Sequence, residues 1–431
     1  MIVLDVGVLR ALAVMVPVIA SAVLWLIVDD VLRRAAAILA LCWQLVALMG
    51  VNILAVQLDW WSFGSAGGAF FGVPVDVVIG WAVLWSVIPV PASATVPIGY
   101  LAALLVFVDL AVMPRMAPLV TLGRWWMVGE LVALAVALLP GLLLAELMIR
   151  RRWLVVRVAL QMVVFTAVLL VAIPALTYVA SGQDWTLGSR FGEPGLAGAL
   201  DAVVLQVAGV VALVGVASVI EFARAGGTPW PWDPPLRLVI TGPYAYVRNP
   251  MQVCGVLLLL LMALVLGFAW LAVSAVLAAL FSAGLASYVE KRSLSERFGS
   301  QWSDYCAEVG DWVPRRRPAP RAVPAIAYLA RGCDPCSELA GWLTARRPTG
   351  LVLRDAEDFP KTLWRMRYED AGAGISVDGV RAFGLCLTHL NLVWAVVGWV
   401  IATPGVSHAL QLVVDASGGG PWAVRPSSSG R

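Results

Sequence analysis

Long apolar runs separated by short polar connectors dominate the first 290 residues of the chain. Because a bilayer interior cannot hydrogen-bond a bare backbone, each run of about 20 apolar residues indicates a membrane-spanning helix. The pattern therefore predicts a polytopic α-helical membrane protein with about nine transmembrane helices. They lie near residues 6–28, 35–56, 72–90, 95–113, 127–149, 155–180, 198–222, 250–267 and 269–289.

The last two predicted spans are joined only by Gly267 and Phe268. So short a connection predicts an antiparallel hairpin whose other two ends lie side by side. Before the hairpin, residues 226–244 are rich in proline, glycine and tryptophan, which predicts an ordered loop at the membrane surface. After the hairpin, apolar residues recur every three or four positions up to Trp312, which predicts an amphipathic helix interrupted at Gly299.

Hydropathy falls after a linker at residues 316–324 that is rich in proline and arginine. From residue 325 to 420, short apolar strand patterns alternate with helical ones, which predicts a soluble C-terminal α/β domain. Residues 1–195 then hold N-terminal transmembrane helices, residues 196–315 form a second membrane region, and residues 421–431 are a flexible tail.

The composition agrees with a membrane protein. Of the 431 residues 61% are hydrophobic and 13% are charged, and the mean hydropathy is +0.87. Such values exclude a soluble globular protein. The net charge of +3 comes from clustered arginines, and the sequence lacks a basic stretch interleaved with aromatic residues, so we expect no nucleic-acid partner.

The arginine-rich connectors follow the first, fifth, seventh and ninth predicted spans. All four fall on one side of the membrane if the spans alternate. Because arginine is enriched on the cytoplasmic side, we expect that side to be cytoplasmic and the N-terminus to be outside. The predicted location is the plasma (inner) membrane.

Two carboxylates lie inside apolar runs of the N-terminal region, Asp76 and Glu130. Carboxylates at such positions are costly and often functional. The simpler interpretation is structural: Asp76 caps a helix at the interface, and Glu130 pairs with Arg124.

Two separated motifs carry the most specific signal. The first is GPYAYVRNPMQVCG, from residue 242, and the second is EKRSLSERFGSQWSDYCAEVGDWVPR, from residue 290. Together they resemble the isoprenylcysteine carboxyl methyltransferase and phospholipid methyltransferase group of integral-membrane enzymes, over about residues 200–315. The resemblance implies a cytoplasmic pocket for S-adenosyl-L-methionine and a lipid substrate that enters from the bilayer. Carried over residue by residue, the first motif supplies Tyr244, Tyr246, Arg248, Asn249, Pro250 and Gln252, and the second supplies Glu290, Phe298, Gly299 and Tyr305.

The chemistry of these residues suits that cofactor, which presents a carboxylate, an ammonium, a ribose and a sulfonium. A guanidinium such as Arg248 binds a carboxylate, and Glu290 and the tyrosines suit the cationic groups. Arg248 and Asn249 are the catalytic candidates. In the alternative interpretation Arg248 is an interfacial anchor and Glu290 is its partner. Asn249, Gln252 and Lys291 stand where the family commonly has histidine, tyrosine and a second glutamate, which leaves the methyl acceptor open.

Cys333 and Cys336 form a C-x-x-C pair between a predicted strand and a predicted helix, where a helix N-terminus stabilises a thiolate. This region resembles the DCC-family thiol-disulfide oxidoreductases, which implies a thioredoxin-like domain with a redox-active pair. A reduced, inert pair and half of a zinc site are the alternatives. No second pair exists and the two histidines lack ligand spacing, so we expect no metal. The remaining cysteines are single and lie mostly in apolar settings: Cys42, Cys254, Cys306 and Cys386.

The leading hypothesis is a methyltransferase that uses S-adenosyl-L-methionine and acts at the cytoplasmic membrane face. Its partners would be membrane lipids and a lipophilic small molecule, a lipid or a prenylated substrate. The alternative is a membrane-tethered thiol-disulfide oxidoreductase whose methyltransferase-like region is a non-catalytic scaffold. The residues leave the oligomeric state open.

Overall fold

The computed structural model describes residues 5–64, 68–182 and 196–427, without the side chains of residues 196, 197, 285–290, 292 and 293. The chain divides into two compact units. The first unit comprises Met1–Trp185 and Thr228–Pro234, and the second comprises Thr186–Gly227 and Pro235–Arg431.

The first unit is a helical bundle. Two of its helices begin at aspartates, because the Asp5 and Asp30 side chains accept backbone hydrogen bonds from Gly7 and Arg33. Its helices are α1 (Val6–Ile27), α2 (Val31–Gln57), α3 (Val75–Trp85), α4 (Pro89–Ala92), α5 (Ile98–Val112), α6 (Trp126–Ala133), α7 (Leu139–Ile149), α8 (Leu154–Ala167) and α9 (Ile173–Ala180). A single π-helical turn joins α6 to α7, and another joins α8 to α9.

Four short strands lie between these helices: β1 (Trp61–Phe63), β2 (Ala69–Phe70), β3 (Val73–Pro74) and β4 (Val120–Leu122). Strand β1 pairs with β4, and β2 pairs with β3, both antiparallel. The core of the unit forms around α2, where the small side chains of Ala35, Ala36, Ala37 and Ala40 are almost fully buried. These small residues allow close helix packing in an apolar bundle.

The two intramembrane carboxylates have other partners than expected. Asp76 lies in the first turn of α3 and not at its N-cap, and it accepts hydrogen bonds from Arg10 of α1 at 3.0 and 2.6 Å. Glu130 is buried beside Asp109 of α5, whereas Arg124 stacks on the Trp125 ring. Both expectations were wrong because the true partners are distant in sequence or lie on another helix.

Seven helical stretches in the described part of the chain are long and apolar enough to span a membrane, so the protein is an integral membrane protein. They are Val6–Ile27, Val31–Gln57, Val75–Ala92, Ile98–Arg115, Trp126–Ile149, Leu154–Ala180 and Gly198–Arg224. These match the first seven predicted spans.

Nine spans were predicted; within the described residues, seven helices meet the criteria of length and apolarity, or eight if one bent pair is counted as a span. The eighth and ninth predictions correspond to shorter apolar helices, Pro250–Leu266 and Ala269–Gly284. The first of them ends at Leu266, within one residue of the predicted end, where Gly267 adopts a left-handed conformation with φ of 61°. Directly after the second, the side chains of residues 285–290 lie outside the described residues.

The second unit contains the hairpin, the amphipathic region and the C-terminal domain. Its helices are α10 (Leu196–Arg224), α11 (Pro250–Leu266), α12 (Ala269–Phe281), α13 (Ser287–Phe298), α14 (Ser300–Glu308), α15 (Asp334–Ala345), α16 (Gly379–Leu387), α17 (Leu392–Ala402) and α18 (Val406–Ala416). The antiparallel pairing of α11 with α12 confirms the predicted hairpin. The break between α13 and α14 falls at Gly299, with φ of 52°, as predicted.

The C-terminal domain contains a four-stranded sheet of β5 (Ala325–Leu329), β6 (Leu351–Asp355), β7 (Arg367–Asp370) and β8 (Ile375–Asp378). Its order is β6-β5-β7-β8; β5 and β6 are parallel, and the other pairs are antiparallel. Helix α15 connects the two parallel strands. The predicted strand and helix segments are therefore present, with Leu343, Tyr368 and Leu387 in their shared core.

Helix α17 differs from the predicted soluble character of this domain. Its sequence, LVWAVVGWVIA, is wholly uncharged, and it packs against the membrane helix α10. Helices α17 and α18 meet at 85°, and together they are long and apolar enough to count as one bent span, which makes them an eighth candidate for a membrane span. A glycine pair, Gly384 and Gly398, lets α16 and α17 approach so closely that a Cβ on either would clash with the other's carbonyl oxygen.

Candidate functional site

The GPY segment that precedes α11 is shaped by a glycine. Gly242 has φ of 60°, a conformation that disfavours other residues, and a Cβ there would lie 2.6 Å from the Glu221 side chain. The chain then forms one 3-10 turn, Gly242–Ala245. Asn249 occupies the N-cap position of α11 and Pro250 its first turn, where proline's missing N–H is harmless.

Arg248 is held by the segment that follows α14. Its Nη2 lies 2.7 Å from Asp311 Oδ1, and its backbone N–H donates to the Gly310 carbonyl at 2.9 Å. The guanidinium carbon lies 5.9 Å from the centre of the Trp302 ring. Only 13% of the Arg248 side chain is exposed, so the guanidinium is largely buried next to these partners.

Asp311 joins the two predicted motifs. Besides Arg248, its carboxylate binds Lys291 of α13, with Nζ 2.9 Å from Oδ2. The hairpin therefore brings the start of α11 and the amphipathic region together, as the sequence predicts. The role of Asp311 was not foreseen, because nothing in its local sequence identifies a partner about 60 residues away. The side chain of Glu290 lies outside the described residues.

Two polar atoms of the first motif have no hydrogen-bond partner among the described residues. They are Nε of Arg248 and Oε1 of Gln252, and both are buried. Buried polar atoms in proteins are almost always satisfied, so a bound polar group, a water or a side chain outside the described residues can serve as their partner.

The three candidate tyrosines have different surroundings. The Tyr305 hydroxyl donates to the Tyr244 carbonyl at 2.8 Å, and the Tyr244 ring stacks on Phe222. The Tyr246 hydroxyl donates instead to the Thr388 carbonyl of the C-terminal domain at 2.9 Å. Tyr305 and Tyr246 thus hold the GPY segment in place from two sides.

The remaining candidates mark the break in the amphipathic region. Phe298 is half-buried at the end of α13, and the Arg297 guanidinium stacks on its ring. Gly299 supplies the turn between the two helices. Neither has a described contact with Arg248.

An apolar cavity of about 240 Å³ lies along the hairpin. Its walls come from α11 and α12 and include Val256, Leu260 and Leu280, and Trp312 closes one side. Trp312 directly follows Asp311, so the polar cluster and the apolar cavity adjoin through consecutive residues. This arrangement fits a ligand with a polar end and a hydrocarbon chain.

The C-x-x-C pair lies at the start of α15. Cys333 is the N-cap residue and lines a cleft of about 220 Å³ together with Glu357 and Arg425. The Cys336 thiol lies beside it, and burial raises the pKa of Cys336 to about 11. The expected thiolate stabilisation therefore does not hold for Cys336. Both cysteines are free.

His389 is part of the structural core of the same domain. Its Nδ1 lies 2.8 Å from the Thr349 carbonyl and its Nε2 lies 2.9 Å from the Tyr368 hydroxyl. Burial lowers the pKa of His389 to about 4, so the ring is neutral. Within the described ranges, no group of three or more potential metal ligands is found.

Comparison with known families supports the assignment of the membrane region. Residues 203–301 match the family model of the phospholipid methyltransferases. The match covers most of α10, the GPY segment, the hairpin and the start of α14, and amounts to under a quarter of the 431 residues. It indicates a membrane methyltransferase domain, and it ends before Cys333. No curated protein and no solved structure matches the chain.

Proposed function

We propose that residues 196–315 bind S-adenosyl-L-methionine and catalyse transfer of its methyl group to a lipophilic acceptor at the cytoplasmic membrane face. The observation that carries the proposal is the cluster at Arg248. There the Arg248–Asp311 ion pair adjoins an apolar cavity, and Arg248 Nε and Gln252 Oε1 are buried without a partner among the described residues. The phospholipid methyltransferase match over the same residues supports it.

In this proposal Arg248 and Gln252 hold the amino-acid end of the cofactor, and Glu290 binds the ammonium or the ribose. Asn249 and Pro250 set the start of α11, and Phe298 and Gly299 shape the opposite wall. Tyr244, Tyr246 and Tyr305 keep the GPY segment in position, and they do so through the hydrogen bonds described above. When bound, the cofactor supplies a methyl group on a positively charged sulfur.

The acceptor's hydrocarbon chain would occupy the cavity between α11 and α12. Trp312 at its end would bring the acceptor's polar atom to the level of Asp311 and Arg248. Positioning two reactants in an apolar enclosure accounts for a large part of the acceleration of a displacement reaction. The chain's own residues are therefore assigned to binding, orientation and exclusion of water. A lipid amine, a carboxylate and a hydroxyl group all fit this description.

The cytoplasmic orientation is part of the proposal. The GPY segment follows the seventh span, and the connectors rich in arginine after the first, fifth and seventh spans all fall on its side. With the N-terminus outside, cytosolic S-adenosyl-L-methionine reaches the Arg248 cluster directly.

A second candidate function rests on the C-terminal domain. A β5-α15-β6 unit followed by an antiparallel hairpin and a helix agrees with the thioredoxin-like arrangement that the sequence resemblance implies. Cys333 faces a cleft and Cys336 is held as a thiol beside it. In this alternative the pair is oxidised to a disulfide while a substrate disulfide is reduced to two thiols. The membrane region would then be a scaffold without catalysis.

Titration calorimetry with S-adenosyl-L-methionine on the purified full-length protein separates the two proposals. We expect the wild type to bind, and Arg248→Gln to bind at least tenfold more weakly, because the cofactor's carboxylate loses its partner. Arg354→Gln removes an equal charge from an exposed position on β6 and is the matched control. The double variant Cys333→Ser, Cys336→Ser should also bind normally. A wild type that binds no cofactor would rule out the methyltransferase and leave the oxidoreductase.

A further inference from the structure

Another cavity, lined by several charged side chains, lies within the second unit, between the end of α10 and the C-terminal domain. Its volume is about 40 Å³. The walls come from six parts of the chain and include Glu221, Arg224, Gly242, Arg321, Arg381 and Trp399. Neither Arg248 nor Trp312 lines it, so it is separate from the candidate methyl-transfer site.

The charges around this cavity do not balance. Arg224 pairs with Glu221, with Nη1 2.5 Å from Oε1, and Arg321 pairs with Asp370. The other Glu221 oxygen accepts a hydrogen bond from the Thr241 hydroxyl at 2.8 Å. Both carboxylates of the lining are therefore engaged, and one guanidinium remains.

That remaining guanidinium is Arg381 of α16. Among the described residues it has no hydrogen bond and no ion pair, and its Nε is buried without a partner. Burial and the nearby Arg224 guanidinium lower the pKa of Arg381, and Glu221 offsets this only in part. A guanidinium nevertheless stays protonated in proteins. Arg381 is partly buried, and a partly buried cation beside another cation is unfavourable unless an anion compensates it.

The size of the cavity suits a small anion. A volume of about 40 Å³ accommodates about three water-sized positions, which is enough for a small tetrahedral group. Guanidinium groups bind phosphate oxygens in a bidentate manner. We propose that Arg381, together with Arg224 and Arg321, forms a phosphoryl-binding site at this junction.

The position of the site relates it to the membrane. Arg224 is the last residue of the seventh span, and Trp399 comes from the apolar helix α17. The site is thus at the end of an apolar helix, the level at which phosphoryl headgroups lie. A lipid headgroup and free phosphate share the chemistry that these arginines recognise. The proposal does not depend on the methyltransferase activity.

Occupancy would act on the candidate site indirectly. The lining includes Thr241, Gly242 and Pro243, which immediately precede Tyr244. A phosphoryl group bound by α10 and α16 would neutralise the excess charge between them and strengthen the packing that holds the GPY segment.

The test uses full-length protein and two probes, with the unfolding temperature as the readout. In detergent, inorganic phosphate is titrated at constant ionic strength. In a second arm, lipid nanodiscs of phosphatidylcholine are compared with nanodiscs that also contain phosphatidic acid. We expect a saturable rise in unfolding temperature in at least one arm, because a ligand of the folded state stabilises it. A response to the lipid alone identifies a headgroup; a response to phosphate shows that the free anion suffices.

Arg381→Gln should weaken this response at least tenfold in probe concentration, and Arg354→Gln should leave it unchanged. Without the anion, Arg381→Gln should be no less stable than the wild type, because it removes an uncompensated cation. If Arg381→Gln does not fold, Arg381→Lys keeps the charge but loses the bidentate geometry, and we expect it to bind more weakly than wild type. A wild type that responds to neither probe overturns the proposal, as does an arginine variant that responds like the wild type.

Discussion

The Tyr305 hydroxyl donates a hydrogen bond of 2.8 Å to the main-chain carbonyl of Tyr244. Both residues are buried, with 7% and 5% of their surface exposed. The bond links α14 to the GPY segment and so connects the two motifs independently of the Arg248–Asp311 ion pair. Because the acceptor is a backbone atom, the contact depends on the tyrosine hydroxyl and not on a partner side chain.

Tyr305→Phe should therefore lower the free energy of unfolding by about 1–2 kcal/mol, because the buried Tyr244 carbonyl would lose the hydrogen bond from the Tyr305 hydroxyl. Thermal unfolding of the purified protein measures the change. Tyr100→Phe is the control, because Tyr100 is 73% exposed. Equal unfolding temperatures for Tyr305→Phe and the wild type would show that the hydrogen bond does not stabilise the fold.

Gly299→Ala should destabilise the protein by about 1–2 kcal/mol through the backbone alone. Gly299 has φ of 52° and ψ of −124°, and nothing lies within 4 Å of a Cβ placed there. Gly341→Ala is the matched substitution: its Cβ also meets nothing, but Gly341 is helical, so we expect stabilisation of up to about 1 kcal/mol. A loss of stability in both variants would point to a cause other than the conformation of Gly299.

Alkylation should distinguish the two cysteines of the C-x-x-C pair. The thiolate is the reactive form, and the pKa of Cys336 is raised to about 11 by burial and by its contact with Cys333. Cys333 lines an open cleft, so iodoacetamide near pH 7.5 should modify Cys333 first. Peptide mass spectrometry assigns the modified residue. Cys333→Ser should abolish the fast reaction and Cys336→Ser should not; faster labelling of Cys336 would contradict the assignment.

Acid should destabilise the protein through His389. The folded-state pKa is about 4 and the ordinary value is 6.5, so between these values the unfolded chain binds more protons at this ring. This stabilisation is complete above pH 6.5 and is lost as the pH falls towards 4, by about 3 kcal/mol in total. Unfolding temperatures across this range give the dependence.

The chain contains two histidines, which makes the control simple. His408 is exposed, and His408→Gln should keep the acid-induced step. His389→Gln should have a flatter dependence than the wild type between pH 6.5 and 4, although it will be less stable at neutral pH. Parallel curves for His389→Gln and the wild type would exclude this ring as the source.

The elements that the sequence predicted correctly are those with local signals. Apolar runs defined the seven spans, the connection at Gly267 defined the hairpin, and Gly299 marked the break in the amphipathic region. The eighth and ninth predicted spans correspond to apolar helices that are shorter than 18 residues within the described part of the chain. Helix α17 was assigned to a soluble domain because its 11 residues are too few to be read as a span.

The candidate site also contains residues that the sequence identified and residues that it did not. Its motif residues were identified by their spacing, and the structure brings Arg248 of the first motif to Asp311 and Trp302 of the second. Asp311 was not identified, because its role depends on the fold, which brings its carboxylate to both Arg248 and Lys291. The hydrogen bond of the Tyr246 hydroxyl could not be predicted either, because its acceptor, the Thr388 carbonyl, is 142 residues further along the chain.

The contact from Tyr246 to Thr388 also bears on how the protein is made. Chains are synthesised from the N-terminus, so all seven spans and the hairpin leave the ribosome before Thr388 and Trp399 do. Domains usually fold in that order as they emerge. Here, however, the GPY segment cannot complete its packing until translation has passed residue 399, because the Tyr246 ring rests against Trp399. Biogenesis therefore has a late step, in which the packing of the GPY segment is completed only after the C-terminal part of the chain has been synthesised.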